Sequence, residues 1–362
     1  MSEKSIVFTV SNDLVSDRRI LRICKTLADH GYFVTFIGRL LPGSPPLSED
    51  NFIQKRIRCW FIRGWLFYTE LNIRFLFYLI WNRFDIIAAV DYDTMLAGAL
   101  AKGKTQKMVF DAHEWFEEVP ELKNRHFVKK VWSYIAMISI KRSSLRYTVS
   151  ESLALCLGEL YSLPFEVISN YPVKGDRNHP EGQRENVIVY VGVLNKGRGL
   201  EQAILALREI NVDFWIIGEG DLSSSLRQLV AEHGMEEKVV FKGWQHPESI
   251  RSILRKARIG LNLLDPGSRS YYYSLANKFF DYVHAGVPSL NMRFPEYIKR
   301  NDMHEVSILH DDLDVKSIAC SIQNLLNDES LWERLHRNCE IASRSWCWEK
   351  ESRRLLKLFD SL

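Results

Sequence analysis

Residues 187–199 read VIVYVGVLNKGRG. A continuous apolar run stops in a loop that holds three glycines (Gly192, Gly197, Gly199) and two cations (Lys196, Arg198), and an amphipathic stretch over 200–210 follows. Short unbroken apolar runs suit strands buried on both faces, and the turn into a helix is that of a parallel sheet. Glycine lets the backbone approach a ligand closely, and the start of a helix attracts anions. Gly192, Lys196 and Arg198 are therefore candidate contacts for a phosphate or diphosphate. A tight turn with solvated cations is the plain alternative, because such turns are common.

The same alternation continues outward in both directions. Toward the C-terminus, strands are expected at 214–217, 239–241, 259–264, 288–292 and 306–309, with helices at 222–233, 249–256 and 276–285. Three helical stretches, near 314–327, 330–343 and 348–361, close the chain. Toward the N-terminus lies 171–185, YPVKGDRNHPEGQRE, whose Pro, Gly and charge have the composition of a linker. Before it, strands are expected at 5–10, 32–38, 56–62, 85–90, 107–111, 147–149 and 165–169. Helices are expected at 17–29, 65–82, 94–102, 125–145 and 152–161. Alternating strands and helices imply α/β architecture with parallel sheets covered on both faces. Two such arrays joined by one linker imply two Rossmann-like, doubly wound domains facing across a cleft, with ligands outside the carboxyl ends of the strands.

Composition bounds the function. The chain has 362 residues, enough for two domains, and a net charge of only +3, which argues against a nucleic-acid binder. The six cysteines are scattered without zinc-like or redox spacing, so neither a disulfide framework nor a metal site is expected. The N-terminus enters a strand at once, without a secretory pattern, and a cytoplasmic location is the expectation. Residues 65–81, WLFYTELNIRFLFYLIW, approach the length of a membrane span, but Glu70 and Arg74 interrupt them. A helix buried in the first domain is the expected outcome. The stretch 123–146 mixes Lys123, Arg125, Lys129, Lys130, Lys141, Arg142 and Arg146 with Phe127, Val131, Trp132, Ile135 and Ile138. It is either a solvated face or a contact with the inner face of a membrane.

Residues 271–290 read YYYSLANKFFDYVHAGVPSL. Ser274 suits an N-cap, Phe279, Tyr282 and Val283 share an inward face, and Gly286 ends the helix. Amides at Leu275, Ala276 and Asn277 could receive phosphate oxygens. Asp281, on another face, is either a solvated carboxylate or an acceptor for sugar hydroxyls.

This segment resembles the PNKxFEYMxxGxP signature of GT-B glycosyltransferases of family 4 (group 1). The resemblance runs the length of the chain: 11–39 is similar to the family's opening β-loop-α-β, 85–102 and FDAHEW (110–115) to its middle strands, and FWIIGEGDL (214–222) and VVFKGWQHPESI (239–250) to its nucleotide-side loops. SWCWEKESRRLL (345–356) is similar to the last helix, which crosses back onto the first domain. The resemblance implies an acceptor-side domain over 1–172, a nucleotide-sugar domain over 173–345 and the crossing helix over 346–362. It further implies that Arg198 neutralises the diphosphate, that Asp281 binds ribose hydroxyls, that Glu219 and Trp244 lie near the base, and that His113 lies near the donor sugar. A lone histidine is otherwise more often a core or capping residue.

Three positions depart from the family pattern: Tyr273 replaces the first of two acids, Val193 replaces an Arg, and the loop 11–16 has no glycine pair. The triplet Asp91-Tyr92-Asp93 has the form of a metal-binding DxD pair, but in this setting it reads as a strand end with Asp93 capping a helix. The implied activity is transfer of a hexose-type sugar from a nucleoside diphosphate donor to a glycan or lipid-linked acceptor hydroxyl in glycan or polysaccharide assembly. Retention of configuration is implied too. No metal and no cofactor beyond the donor substrate are needed. A sugar-nucleotide epimerase of the same fold, and a non-catalytic nucleotide-sugar-binding subunit suggested by Tyr273, are the alternatives.

Overall fold

The computed structural model describes residues 4–118, 125–175 and 184–362. Lys123 and most of the polar linker, 176–183, lie outside the described residues. The chain divides into two compact units, Met1–Asn170 with Glu351–Leu362, and Tyr171–Lys350.

In the first unit the strands are β1 (Ser5–Thr9), β2 (Phe33–Leu40), β3 (Ile53–Arg58), β4 (Ile86–Val90), β5 (Lys107–Ala112), β6 (Leu145–Thr148) and β7 (Glu166–Val167). They form one sheet in the order β3-β2-β1-β4-β5-β6-β7, and each neighbouring pair is parallel. The β4 run IIAAV is buried along its whole length, as a strand covered on both faces should be. Asp17 caps the helix Arg18–Asp29 by accepting from the Ile20 amide, and that helix buries Ile20, Ile23, Cys24 and Leu27 at helical spacing. Strand β3 ends earlier than expected. The amides of Trp60 and Phe61 are taken by the Glu70 carboxylate at 2.9–3.0 Å instead of by a strand partner.

The apolar stretch 65–81 is the helix Gly64–Trp81, but it is not buried as a whole. Phe67, Leu71, Phe75 and Leu79 form the packed stripe, while Trp65, Ile73, Phe77, Ile80 and Trp81 face outward. Spacing explains the difference: residues four apart share one face, and a helix on the surface of a sheet can bury only one face. Glu70 and Arg74, the two charges that interrupt the stretch, pair with each other at 2.7 Å. The basic stretch is helical over His126–Ile140. Its Trp132 turns inward onto Tyr68 and Phe116. Among the described residues no helix is long and apolar enough to cross a membrane.

The second unit holds β8 (Val187–Val191), β9 (Asp213–Ile217), β10 (Val239–Gly243), β11 (Ile259–Asn262), β12 (Ser289–Met292) and β13 (Ser307–His310), again parallel, in the order β10-β9-β8-β11-β12-β13. The order reverses beside β8, so the loop after β8 leaves the sheet at a topological switch point, where α/β sheets bind ligands. Phe279, Tyr282 and Val283 are buried as expected. The Tyr282 hydroxyl donates toward Val189 and Leu261 carbonyls at 3.2 and 3.0 Å, which ties its helix to two strands. A helix over Pro295–Met303 adds to the expected elements; a proline in its first turn and an acid after it are the start signals.

The final helix, Trp348–Asp360, leaves the second unit and belongs with the first from Glu351 onward. Phe359 is fully buried, with its ring 6.2 Å from Phe8 and 6.4 Å from Tyr147.

Candidate functional site

In the second unit the loops after β8, β9 and β10 are laced together by their backbones. Gly192 donates to Ile217 at 3.0 Å, Gly218 to Gly243 at 2.8 Å, and Leu194 to Glu219 at 3.2 Å. Gly218 has a φ of +130°, and a Cβ there would stand 2.0 Å from the Gly192 carbonyl oxygen, so only glycine fits. Gly192 itself has a φ of +143°.

This loop cluster carries the cations. Lys196 is exposed. Arg198 stacks on the Tyr271 ring, 4.6 Å from its centroid, and its Nε is buried with no hydrogen-bond partner among the described residues. Glu219 and Trp244 follow β9 and β10 at the same end of the sheet. Glu219 meets Arg227 at 3.4 Å, and the Trp244 ring is 73% exposed, open to stacking.

The helix that carries the second half of the motif is Asn277–His284, and two expectations about its start are corrected. Its N-cap is Ala276, not Ser274; the Ser274 hydroxyl instead donates to the Tyr271 carbonyl at 2.8 Å. The Ala276 amide is already used, donating to the Tyr297 hydroxyl at 3.0 Å, so it is not open to a phosphate. Leu275 sends its side chain into the core, Asn277 is exposed, and Asp281 is half-buried on the helix body.

Sequence reasoning assigned no role to Lys278. Its side chain is 7% exposed, and its Nζ lies 3.7 Å above the Tyr190 ring with no hydrogen-bond partner among the described residues. Burial, and then the charge of Arg198, push its pKa well below the ordinary lysine value. The signal was present in the sequence, since Lys278 stands at the lysine of the PNKxFEYMxxGxP signature that this segment resembles.

In the first unit His113 follows β5. Its Nδ1 lies 3.4 Å from Asp91 and its Nε2 3.3 Å from Asp111, the second contact close enough for charge attraction but not aligned as a hydrogen bond. Its backbone amide also donates to Asp91 at 2.8 Å. Asp111 is fully buried and takes both Nε and Nη2 of Arg19 at 3.1 Å, while Arg19 Nη1 reaches the Ile168 carbonyl at 2.7 Å. Burial alone would lower the His113 pKa, but the carboxylates of Asp91 and Asp111 outweigh it and push it up to about 10. Burial would raise the Asp111 pKa, yet Arg19 and His113 hold it below the usual carboxylate range. The two acids favour the protonated imidazole, which donates hydrogen bonds and meets negative charge.

Asp93 does not cap the following helix. That helix begins at Asp91, with Val90 in the capping position, and Asp93 sits inside its first turn, accepting from the Ser11 hydroxyl. Asp91 itself adopts a left-handed φ of 54°, unusual for a residue with a side chain. Its carboxylate faces the His113 ring.

Two sequence models match the chain in succession. The one described as Glycosyltransferase Family 4 covers residues 16–171, and the one described as Glycosyl transferases group 1 covers 185–328. The chain belongs to the group 1, family 4-like glycosyltransferases. Its fold agrees: the glycosyltransferase matches sucrose-phosphate synthase from Thermosynechococcus elongatus with a TM-score of 0.79 at 15% identity, over 99% of both chains. It matches HepE from Anabaena, in a complex with UDP and glucose, with a TM-score of 0.77 at 14% identity, over 99% of both chains. These likenesses establish the GT-B fold. A curated relative, the lipopolysaccharide core biosynthesis glycosyltransferase LpsD of Rhizobium meliloti, is 28% identical over 182 residues, 48% of this glycosyltransferase and 49% of that relative. The match spans about half the length of that relative.

Proposed function

We propose that this glycosyltransferase moves a sugar from a nucleoside diphosphate donor to an acceptor hydroxyl in the assembly of a lipopolysaccharide or related glycan. The observation that carries this reading is the glycine-laced loop after β8, where Arg198 holds a buried guanidinium nitrogen with no hydrogen-bond partner among the described residues. A diphosphate would supply the missing acceptor. Charge develops on that group as the bond to the sugar breaks, so fixed cations beside it lower the barrier without a metal. Asp281 is proposed to hold the ribose hydroxyls, Trp244 and Glu219 to flank the base, and the His113 cation to meet the donor sugar. The relatives support the same reading: one is crystallised with UDP and glucose, and another is described by its role in lipopolysaccharide core biosynthesis. Transfer with retention of configuration is part of the proposal. The glycosyltransferase matches favour transfer over the epimerase and the binding-subunit alternatives.

The test is release of free nucleoside diphosphate from a panel of nucleotide sugars, with and without extracted glycan acceptors. Acceptor-dependent release with a lengthened glycan supports transfer. Donor converted to its epimer, or bound without turnover in every combination, overturns it.

A lipid-borne acceptor is part of the reading. Phe127, Val131, Tyr134, Met137 and Ile138 lie exposed at spacings of three and four along the helix His126–Ile140, with Lys130 on the same face. The outward face of Gly64–Trp81 belongs to the neighbouring helix, since Tyr68 and Trp132 meet edge to face at 5.2 Å. Apolar residues bordered by cations suit the interface of an anionic bilayer.

A further inference from the structure

We propose that Arg19, Asp111 and Asp91 are positioning residues for the transfer, holding the His113 ring between two carboxylates so that its Nε2–H stays unshared and is presented to the sugar. The inference rests on the reading above that His113 meets the donor sugar, and it assigns three residues that this reading did not use.

The three come from separate elements. Arg19 lies in the first turn of the helix Arg18–Asp29, Asp111 in β5, and Asp91 directly after β4. The Arg19 side chain is buried and spends all three guanidinium nitrogens. Nε and Nη2 donate to the two oxygens of Asp111 at 3.1 Å, and Nη1 donates to the Ile168 carbonyl at 2.7 Å. A planar fork held in this way fixes the plane of the carboxylate. Asp111 Oδ2, the oxygen that receives Arg19 Nε, lies 3.3 Å from His113 Nε2 without the alignment of a hydrogen bond. That ring nitrogen has no hydrogen-bond partner among the described residues. Negative charge is thus kept beside the ring, while Arg19 keeps the carboxylate from turning to take the ring proton. An ion pair needed only to join the helix to β5 could be replaced by apolar residues of the same volume. This pair is open on one side, because its third neighbour, His113, is 23% exposed.

Asp91 fixes the other edge of the ring. Its Oδ1 accepts from the His113 backbone amide at 2.8 Å, and its Oδ2 lies 3.4 Å from Nδ1, so one carboxylate ties down both backbone and ring. Asp91 does this at a φ of 54°, a conformation that the surrounding structure has to sustain. The place is also the switch point of the first sheet, since the strand order reverses between β1 and β4, and ligands bind outside such points. Asp17 and Asp93 add negative charge toward the ring, Glu114 acts on Asp91 and Asp93, and Tyr147 on β6 stands against Asp111. Arg19 is the cation that balances Asp111.

The test joins spectroscopy on the full chain with kinetics. Ring-nitrogen magnetic resonance, with His113→Gln to assign the signal, follows the titration of His113. Asp91→Asn keeps a residue that tolerates the left-handed backbone and removes the charge, so the His113 midpoint should fall by about one pH unit or more. Arg19→Lys keeps a cation without a fork. It leaves one Asp111 oxygen free to accept from Nε2, and the Nε2 proton should move downfield. Kinetics use UDP-glucose, UDP-N-acetylglucosamine and GDP-mannose with extracted glycan acceptors. On a donor that wild type turns over, both variants should lower kcat about tenfold or more and leave KM for that donor within about twofold. A lowered melting temperature with an unmoved His113 signal and wild-type kcat would show a structural ion pair and overturn the assignment. Loss of turnover with an unmoved signal overturns it too, because the effect then does not pass through the ring. If Arg19→Lys does not fold, Asp91→Asn decides by the same two readouts. A wild-type chain that turns over none of these donors overturns the transfer reading and this assignment together. Turnover by wild type that the variants match overturns this assignment alone.

Discussion

At the scale of single residues, charge is the organising quantity. Arg198 stacks on Tyr271 and keeps a buried donor unused, so removing it takes away a ligand contact more than a structural one. Arg198→Ala should weaken diphosphate binding by about 1.5–3 kcal/mol, the worth of a hydrogen bond to a charged group. Unchanged affinity in calorimetry would remove Arg198 from the site. His113 carries a pH signature. Its folded pKa is raised to about 10 by Asp91 and Asp111 against an unfolded value near 6.5, so its stabilising contribution is complete below about pH 6.5 and disappears as pH rises through 10. The stability difference between wild type and His113→Gln should therefore shrink steadily between pH 7 and pH 10; a constant difference would mean the imidazole is neutral in the folded protein. If His113 also touches the donor sugar, His113→Ala should reduce turnover more than nucleotide binding. Wild-type turnover in a destabilised His113→Ala would leave it a structural residue.

At the scale of elements, close backbone approach and exposed apolar faces decide what each piece can do. The loops after β8 and β9 cross so tightly that Gly218→Ala would drive a methyl group into the Gly192 carbonyl in a backbone region that alanine avoids. Strain of this kind costs roughly 1–3 kcal/mol even before the clash. Chemical denaturation should show the second unit destabilised by at least that much, with nucleotide binding lost. A near-neutral effect would mean the loops can part freely. On the first unit, the exposed face of His126–Ile140 should bind anionic vesicles in a salt-sensitive way. Lys129 is a poor probe of this face because it already pairs with Glu118. Lys130 is exposed, and Lys130→Glu with Phe127→Ser should reduce flotation with anionic vesicles several-fold, since each surface cation contributes about 1 kcal/mol near such lipids. Wild-type protein that stays unbound at low salt would point to an acceptor taken from solution.

At the scale of the whole molecule, the order of the chain and the order of packing part company at the C-terminus. The helix Trp348–Asp360 follows the second unit in sequence, yet Phe359 is buried among Phe8 and Tyr147, and Glu351 accepts from the Ser169 amide at 2.7 Å. Phe359→Ala should cost the first unit about 3–5 kcal/mol, the usual price of an aromatic deletion in a core. Near-ultraviolet signals and hydrogen exchange resolved by unit should assign the loss to residues before 171. Equal loss of protection in the second unit would mean the two unfold as one. The termini of the first unit are thereby held together by residues more than three hundred positions apart, which delays completion of that core until the chain is whole.

The sequence by itself determined the class of fold and the type of chemistry. Buried parallel strands must be continuous apolar runs, and their helices must carry apolar stripes at the 3.6-residue period, so the two arrays were legible from the hydrophobic pattern alone. The loop after β8 was legible as a candidate because glycines and cations stand together where a buried strand turns into a helix. Tertiary structure decided what local pattern could not contain. Which face of the apolar helix Gly64–Trp81 packs, which carboxylates surround His113, and why the amide of Ala276 is already spent on Tyr297 depend on neighbours distant in sequence. Lys278 is the clearest case. In the sequence it stands at the lysine of the signature-like segment, with nothing to say which way its side chain points. Only the fold turns it inward, over Tyr190 and beside Gly192, where its Nζ has no hydrogen-bond partner among the described residues, a placement that no periodicity encodes.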